Sequence, residues 1–214
     1  MTTADGWTAA VRNRLSPGRL LPLGAAAERA WITERAVREA LDRAASAVPG
    51  AVPGRMRIGP AEESGPEAGA VLITAPLGAV AGRALPDLAG ELRTALLAAA
   101  EDGLGLVVAG VDLRVTELLD TPPEPGAGAT PAPGPTSPAT DDPVALAALG
   151  VPGVAAVTDT LGPPVRRRPE EVRVELAVTA GSRPLDVARA VRTAVAAAVP
   201  EEGVAVGVVV SDLR

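Results

Sequence analysis

The stretch from Thr121 to Pro143, TPPEPGAGATPAPGPTSPATDDP, constrains this chain more than any other. It holds eight prolines and three glycines in 23 residues. Proline lacks the N–H that a helix interior or a paired strand needs, so such a run is a semi-extended linker. At about 3.1 Å per residue it can span on the order of 70 Å. The expectation is a chain in three parts: residues 1–120, a linker at 121–143, and residues 144–214. These parts carry 12 Arg against 15 acidic residues, none against three, and eight against eight, so neither flanking part is basic.

Residue types missing from the chain exclude much chemistry. All 20 basic residues are Arg, and Lys, His, Cys, Tyr and Phe do not occur. Disulfides, thiolate metal sites and cysteine nucleophiles are therefore impossible. The commonest neutral-pH proton shuttle is missing, as is the lysine of a Schiff base or phosphate cradle. The expectation is a protein that is not an enzyme and has no catalytic, cofactor or metal site. A net charge of −6 and only two aromatic residues, Trp7 and Trp31, argue against nucleic acid as a partner. No apolar run approaches the roughly 20 residues of a transmembrane helix, and the N-terminus lacks the pattern of a secretory signal. A cytoplasmic location follows as the simplest expectation, peripheral to a membrane only through a partner.

Local periodicity places the elements. Ile32-Thr33-Glu34 opens a helix with Thr33 as N-cap and Ile32 and Val37 as a hydrophobic staple. Val37, Leu41, Ala44 and Val48 mark its apolar face, and Pro49-Gly50 end it. Met56–Ile58 and Ala70–Ala75 are strand candidates around an acidic turn at 59–69. A second helix is expected from about Pro86 to Glu101. A long strand follows from Leu104 to Thr116, and a change of alternation at Gly110 suggests a bulge there.

The second part echoes the first. Val48-Pro49-Gly50 returns as Val151-Pro152-Gly153, and Leu92-Arg93-Thr94-Ala95-Leu96 as Val191-Arg192-Thr193-Ala194-Val195. Leu104, Leu106 and Val108 return as Val204, Val206 and Val208, and Asp112-Leu113-Arg114 as Asp212-Leu213-Arg214. The expected fold class is mixed α/β, or α+β. It comprises two degenerate copies of a helix–strand–strand–helix–strand unit, the second copy's first helix reduced to Pro143–Leu149. Strand–helix–strand crossovers predict parallel pairing and two-layer sheet-and-helix packing.

This pattern resembles the alkaline-shock, or envelope stress response, proteins of Gram-positive bacteria, in a divergent two-copy actinobacterial branch. The matching residues are Ile32-Thr33 with Val48-Pro49-Gly50, then Leu85-Pro86-Asp87-Leu88-Ala89, and Gly103-Leu104 with Val108, Val111, Leu113 and Val115. The resemblance covers about 31–118, with a weaker echo in 144–214. It implies a non-enzymatic, cytoplasmic protein-interaction module that associates with itself, with related modules or with a membrane-anchored partner. It supplies no catalytic residues.

Two segments are candidate contact sites. Arg166, Arg167 and Arg168 form the only basic run and can grip an anion or an acidic partner, although Glu170 and Glu171 and the Pro163-Pro164 turn also suit a balanced, exposed connector. That run supports the alternative of a small-ligand or anion-binding module. Trp7, Val11 and Leu15 have the spacing of a short amphipathic turn that can form an interface, against the plainer reading that Trp7 folds back on its own domain. The acidic pairs Glu62-Glu63, Glu101-Asp102, Glu170-Glu171 and Glu201-Glu202 read as solvated turns. Gly105, Val107 and Ala109, with Ala205 and Gly207, form a small-residue face that lets a second layer approach closely.

Overall fold

A computed structural model describes residues 18–61, 69–121, 140–199 and 203–214. Among them the chain is mixed α/β, with helices packed on two sheets. Its contacts form two units, residues 1–36 with 135–214, and residues 37–134, and the boundary falls inside helix α1 (Glu34–Ser46). The expected division at the linker instead set residues 1–120 apart from residues 144–214. Residues 20–33 belong with the C-terminal part because their strands find an edge there, a pairing no local pattern announces. The Trp7, Val11 and Leu15 segment, the linker residues 122–139, and both Glu62-Glu63 and Glu201-Glu202 lie outside the described residues.

The unit of residues 37–134 is built on β5 (Val71–Val80). One of its edges pairs antiparallel with β3 (Ala51–Pro53) at Leu77–Ala79 and with β4 (Arg57–Pro60) at Val71–Thr74. The other edge pairs parallel with β6 (Val108–Leu119), reached through α2 (Leu85–Leu97). Val71, Ile73, Ala75, Leu77 and Ala79 alternate into the core, where Leu88, Leu92 and Leu96 of α2 are also buried.

Two differences from the sequence expectation have local causes. The backbone after α2 continues as a π-helical turn, Ala98–Leu104, closed by Gly105 at φ +89° with its N–H shared between the Ala100 and Glu101 carbonyls. Leu104 and Leu106 are buried there, not in a strand, and β6 starts at Val108. The expected irregularity in β6 is present: Val71 pairs with Val108 and Leu72 with Gly110, leaving Ala109 as the extra residue.

The other unit repeats this connectivity. β9 (Glu171–Val178) pairs antiparallel with β7 (Val154–Val157) and β8 (Val165–Arg168) on one edge, and parallel with β10 (Ala205–Leu213) on the other. α3 (Pro143–Leu149) and α4 (Pro184–Ala198) pack together on one face. Val172, Val174 and Leu176 share register, and therefore a face, with Val206, Val208 and Val210, and all six are buried. Gly50 and Gly153, in the echoed Val-Pro-Gly turns, both take left-handed φ, +83° and +90°.

One feature sets this unit apart. The outer edge of β10 is covered by β2 (Ala30–Thr33), parallel to it at Val208–Val210, and β1 (Leu20–Pro22) follows antiparallel to β2. Thr33 ends β2 and begins α1, its hydroxyl accepting from the Ala36 N–H at 3.3 Å, as the N-cap expectation required.

Candidate interaction surfaces

Arg166, Arg167 and Arg168 lie in β8, which among the described residues pairs only with β9, so the basic run is an edge strand and not the expected connector. Alternation sends its side chains apart. Arg167 reaches Asp142 with two hydrogen bonds of 2.7 and 2.9 Å. That carboxylate also caps α3 by accepting from the Val144 N–H at 2.9 Å. The Arg167 hydrogen bonds, with smaller help from the Val144 and Ala145 N–H groups, hold the Asp142 carboxyl below the usual aspartate range. Arg168 is exposed and has no ion-pair partner among the described residues. Arg166 points the other way, beside Leu161, Arg173 and Glu175. The three guanidinium groups therefore do not converge on one anion.

Arg167 and Arg168 instead rim a groove of about 450 Å³ whose apolar wall includes Val144, Val172, Val199 and Val204. Such a groove suits a molecule with an apolar body and one negative group.

Beneath the far face of the same sheet lies a buried polar chain that sequence reading missed. Glu175, 5% exposed, accepts from the Thr158 hydroxyl and from the Thr160 and Leu161 N–H groups, all at 2.9 Å. Because Thr158 spends its proton on Glu175, the 2.6 Å contact between the Thr158 and Ser211 hydroxyls runs with Ser211 as donor. The Thr33 hydroxyl donates to the Ser211 carbonyl at 3.0 Å. Each strong acceptor is satisfied, so the chain pins the 158–164 loop and β2 to the sheet. A Glu among valines at even strand spacing was the only sequence signal for it.

The expected small-residue face is partly explained within the chain. The ring of Trp31 occupies the space above Gly207, and Gly105 serves the π-turn.

No family model, no curated protein and no solved structure matches this chain. Among the described residues, no His, Cys, Asp and Glu cluster is placed to hold a metal ion, and no helix is long and apolar enough to cross a membrane.

The remaining surface is β6. Only one of its edges is paired among the described residues. Register places Val111, Leu113, Val115 and Leu118 on the same face as the inward Ile73, Ala75, Leu77 and Ala79, and a second extra residue, Thr116, keeps Leu118 in that row. Along this row exposure rises from 7% at Val111 to 40% at Val115 and 71% at Leu118. An apolar stripe thus runs out of the core onto an open strand edge.

The two units treat equivalent edges differently. Arg192 of α4 donates to the carbonyls of Ala27 and Glu28, at 3.0 and 2.5 Å, just before the strand that covers β10. Its sequence echo Arg93 of α2 reaches the Val111 carbonyl on β6 at 3.5 Å.

Proposed function

We propose that this chain is a non-enzymatic protein-interaction module with two copies of one unit, related to the alkaline-shock and envelope stress response proteins. It works in the cytoplasm by self-association or partner association near the cell envelope. The observation that carries this reading is the open edge of β6 with its emerging stripe of Val115 and Leu118. Unpaired strand edges present a row of N–H and C=O groups that recruit another strand. The equivalent edge of β10 accepts β2, which supports strand addition as the mode of association.

The test is a mild-crosslink capture of the full chain from its own cells, beside a Leu118→Asp variant. The reading expects related modules or integral membrane proteins with the unaltered chain, reduced several-fold by the substitution. Capture of nothing, under envelope stress as well, overturns it.

A second reading is favoured by the groove at Arg167 and Arg168: binding of a small amphipathic anion. A medium-chain carboxylate such as decanoate then raises the melting temperature of the unaltered chain but not of Arg168→Ala, because a ligand of the native state adds to its stability.

A further inference from the structure

We infer that β6 pairs with β6 of a second copy of this chain, antiparallel about a two-fold axis at Leu113. This rests on the interaction reading above and names the partner.

Between the irregularities at Ala109 and Thr116, residues 111–115 form a regular stretch. The Val71 N–H donates to the Val107 carbonyl, and the extra residue Ala109 inverts the alternation beyond it, so the backbone groups of Val111, Leu113 and Val115 turn away from β5, toward the free edge. The Arg93 contact to the Val111 carbonyl agrees with that parity, and at 3.5 Å it is long enough to be displaced by a strand.

The side chains select the register. With the axis at Leu113, Asp112 of each copy faces Arg114 of the other, twice over. Both residues are exposed, and neither has an ion-pair partner among the described residues. On the opposite face Val111 meets Val115 and Leu113 meets its own copy, joining the two apolar stripes over one continuous sheet. Moving the axis one residue toward the N-terminus sets Asp112 against Asp112. One residue toward the C-terminus sets Arg114 against Arg114, and like charges directly opposite are destabilising. Of these three self-pairings, only the one centred on Leu113 makes the two exposed charges of the stretch complementary.

The experiment is sedimentation of the full chain as a function of concentration, with Asp112→Arg, Arg114→Asp, the double swap, and an equimolar mixture of the two single variants. The expected result is a dimer for the unaltered chain and association weakened at least about tenfold in each single variant. The double swap recovers it, and the mixture forms mixed dimers because every facing pair is then opposite in sign. The Leu113 amide of the unaltered chain also exchanges more slowly as concentration rises. A monomer at all concentrations, or a dimer indifferent to these charges, overturns the pairing. If capture that depends on Leu118 survives in a monomeric protein, only the self-pairing falls and β6 takes a foreign strand. If that capture is absent too, the interaction reading falls with it.

Discussion

A side chain starting at Gly207 would meet Cζ3 of Trp31 at 3.2 Å, so the indole of a strand from the N-terminal part fills the space above a strand from the C-terminal end. Trp31 and Gly207 lie on neighbouring parallel strands, β2 and β10, on the face away from α3 and α4. The absence of a side chain at 207 lets the largest residue of β2 lie across the sheet. Gly207→Ala therefore pushes the ring by a few tenths of an ångström, and Gly207→Val overpacks it. The expected loss for the valine variant is about 1–3 kcal/mol, with a smaller loss for alanine, read from urea denaturation.

Thr158→Val leaves a carboxylate oxygen of Glu175 one donor short and removes the nearer acceptor of the Ser211 hydroxyl, which keeps only the longer contact to the Leu176 carbonyl at 3.3 Å, all in a buried setting. A destabilisation of about 1–3 kcal/mol is expected, and faster amide exchange at Thr160 and Leu161 would localise it to the 158–164 loop.

Asp142→Ala removes the cap of α3 together with the partner of Arg167. The cap accounts for about 1 kcal/mol of the expected loss, and the half-exposed ion pair adds little. Because the folded-state pKa of Asp142 is lowered, its contribution is fully present above the unfolded value of about 3.9 and disappears as pH falls through the lower folded value. Melting temperatures followed from neutral pH down to about pH 2 should show a shallower acid limb in Asp142→Asn, which keeps the cap acceptor but cannot ionise.

Leu118 and Leu176 test exposure against burial. Leu118 is 71% exposed, so Leu118→Ser should change stability by no more than about 0.5 kcal/mol while weakening association. Leu176 is wholly buried, and Leu176→Ala should cost about 2–5 kcal/mol. Equal effects in denaturant titrations of the two variants would contradict the assigned core face.

Local patterning made several elements legible. The Thr33 cap, the short helix at Pro143–Leu149, the parallel β5–β6 and β9–β10 pairs and the irregularity near Gly110 all rest on interactions between near neighbours or on the sense of a crossover. The strand end at Leu104–Leu106 was misread because apolar alternation looks the same in a strand and in a buried turn closed by a glycine. The Arg166–Arg168 run looked like a connector because charge says nothing about strand pairing, and β8 is held by β9 from its other side.

By itself the sequence determined the periods of helix and strand, the crossovers and the excluded chemistries, since these follow from residue type and short spacing. Only the tertiary structure decided that residues 30–33 cover β10 and that, among the described residues, the matching edge of β6 stays open. A strand's hydrogen-bonding groups are the same whichever edge they meet. The choice of edge is made by contacts distant in sequence, Trp31 over Gly207 and Arg192 on the carbonyls of Ala27 and Glu28, which no local pattern encodes.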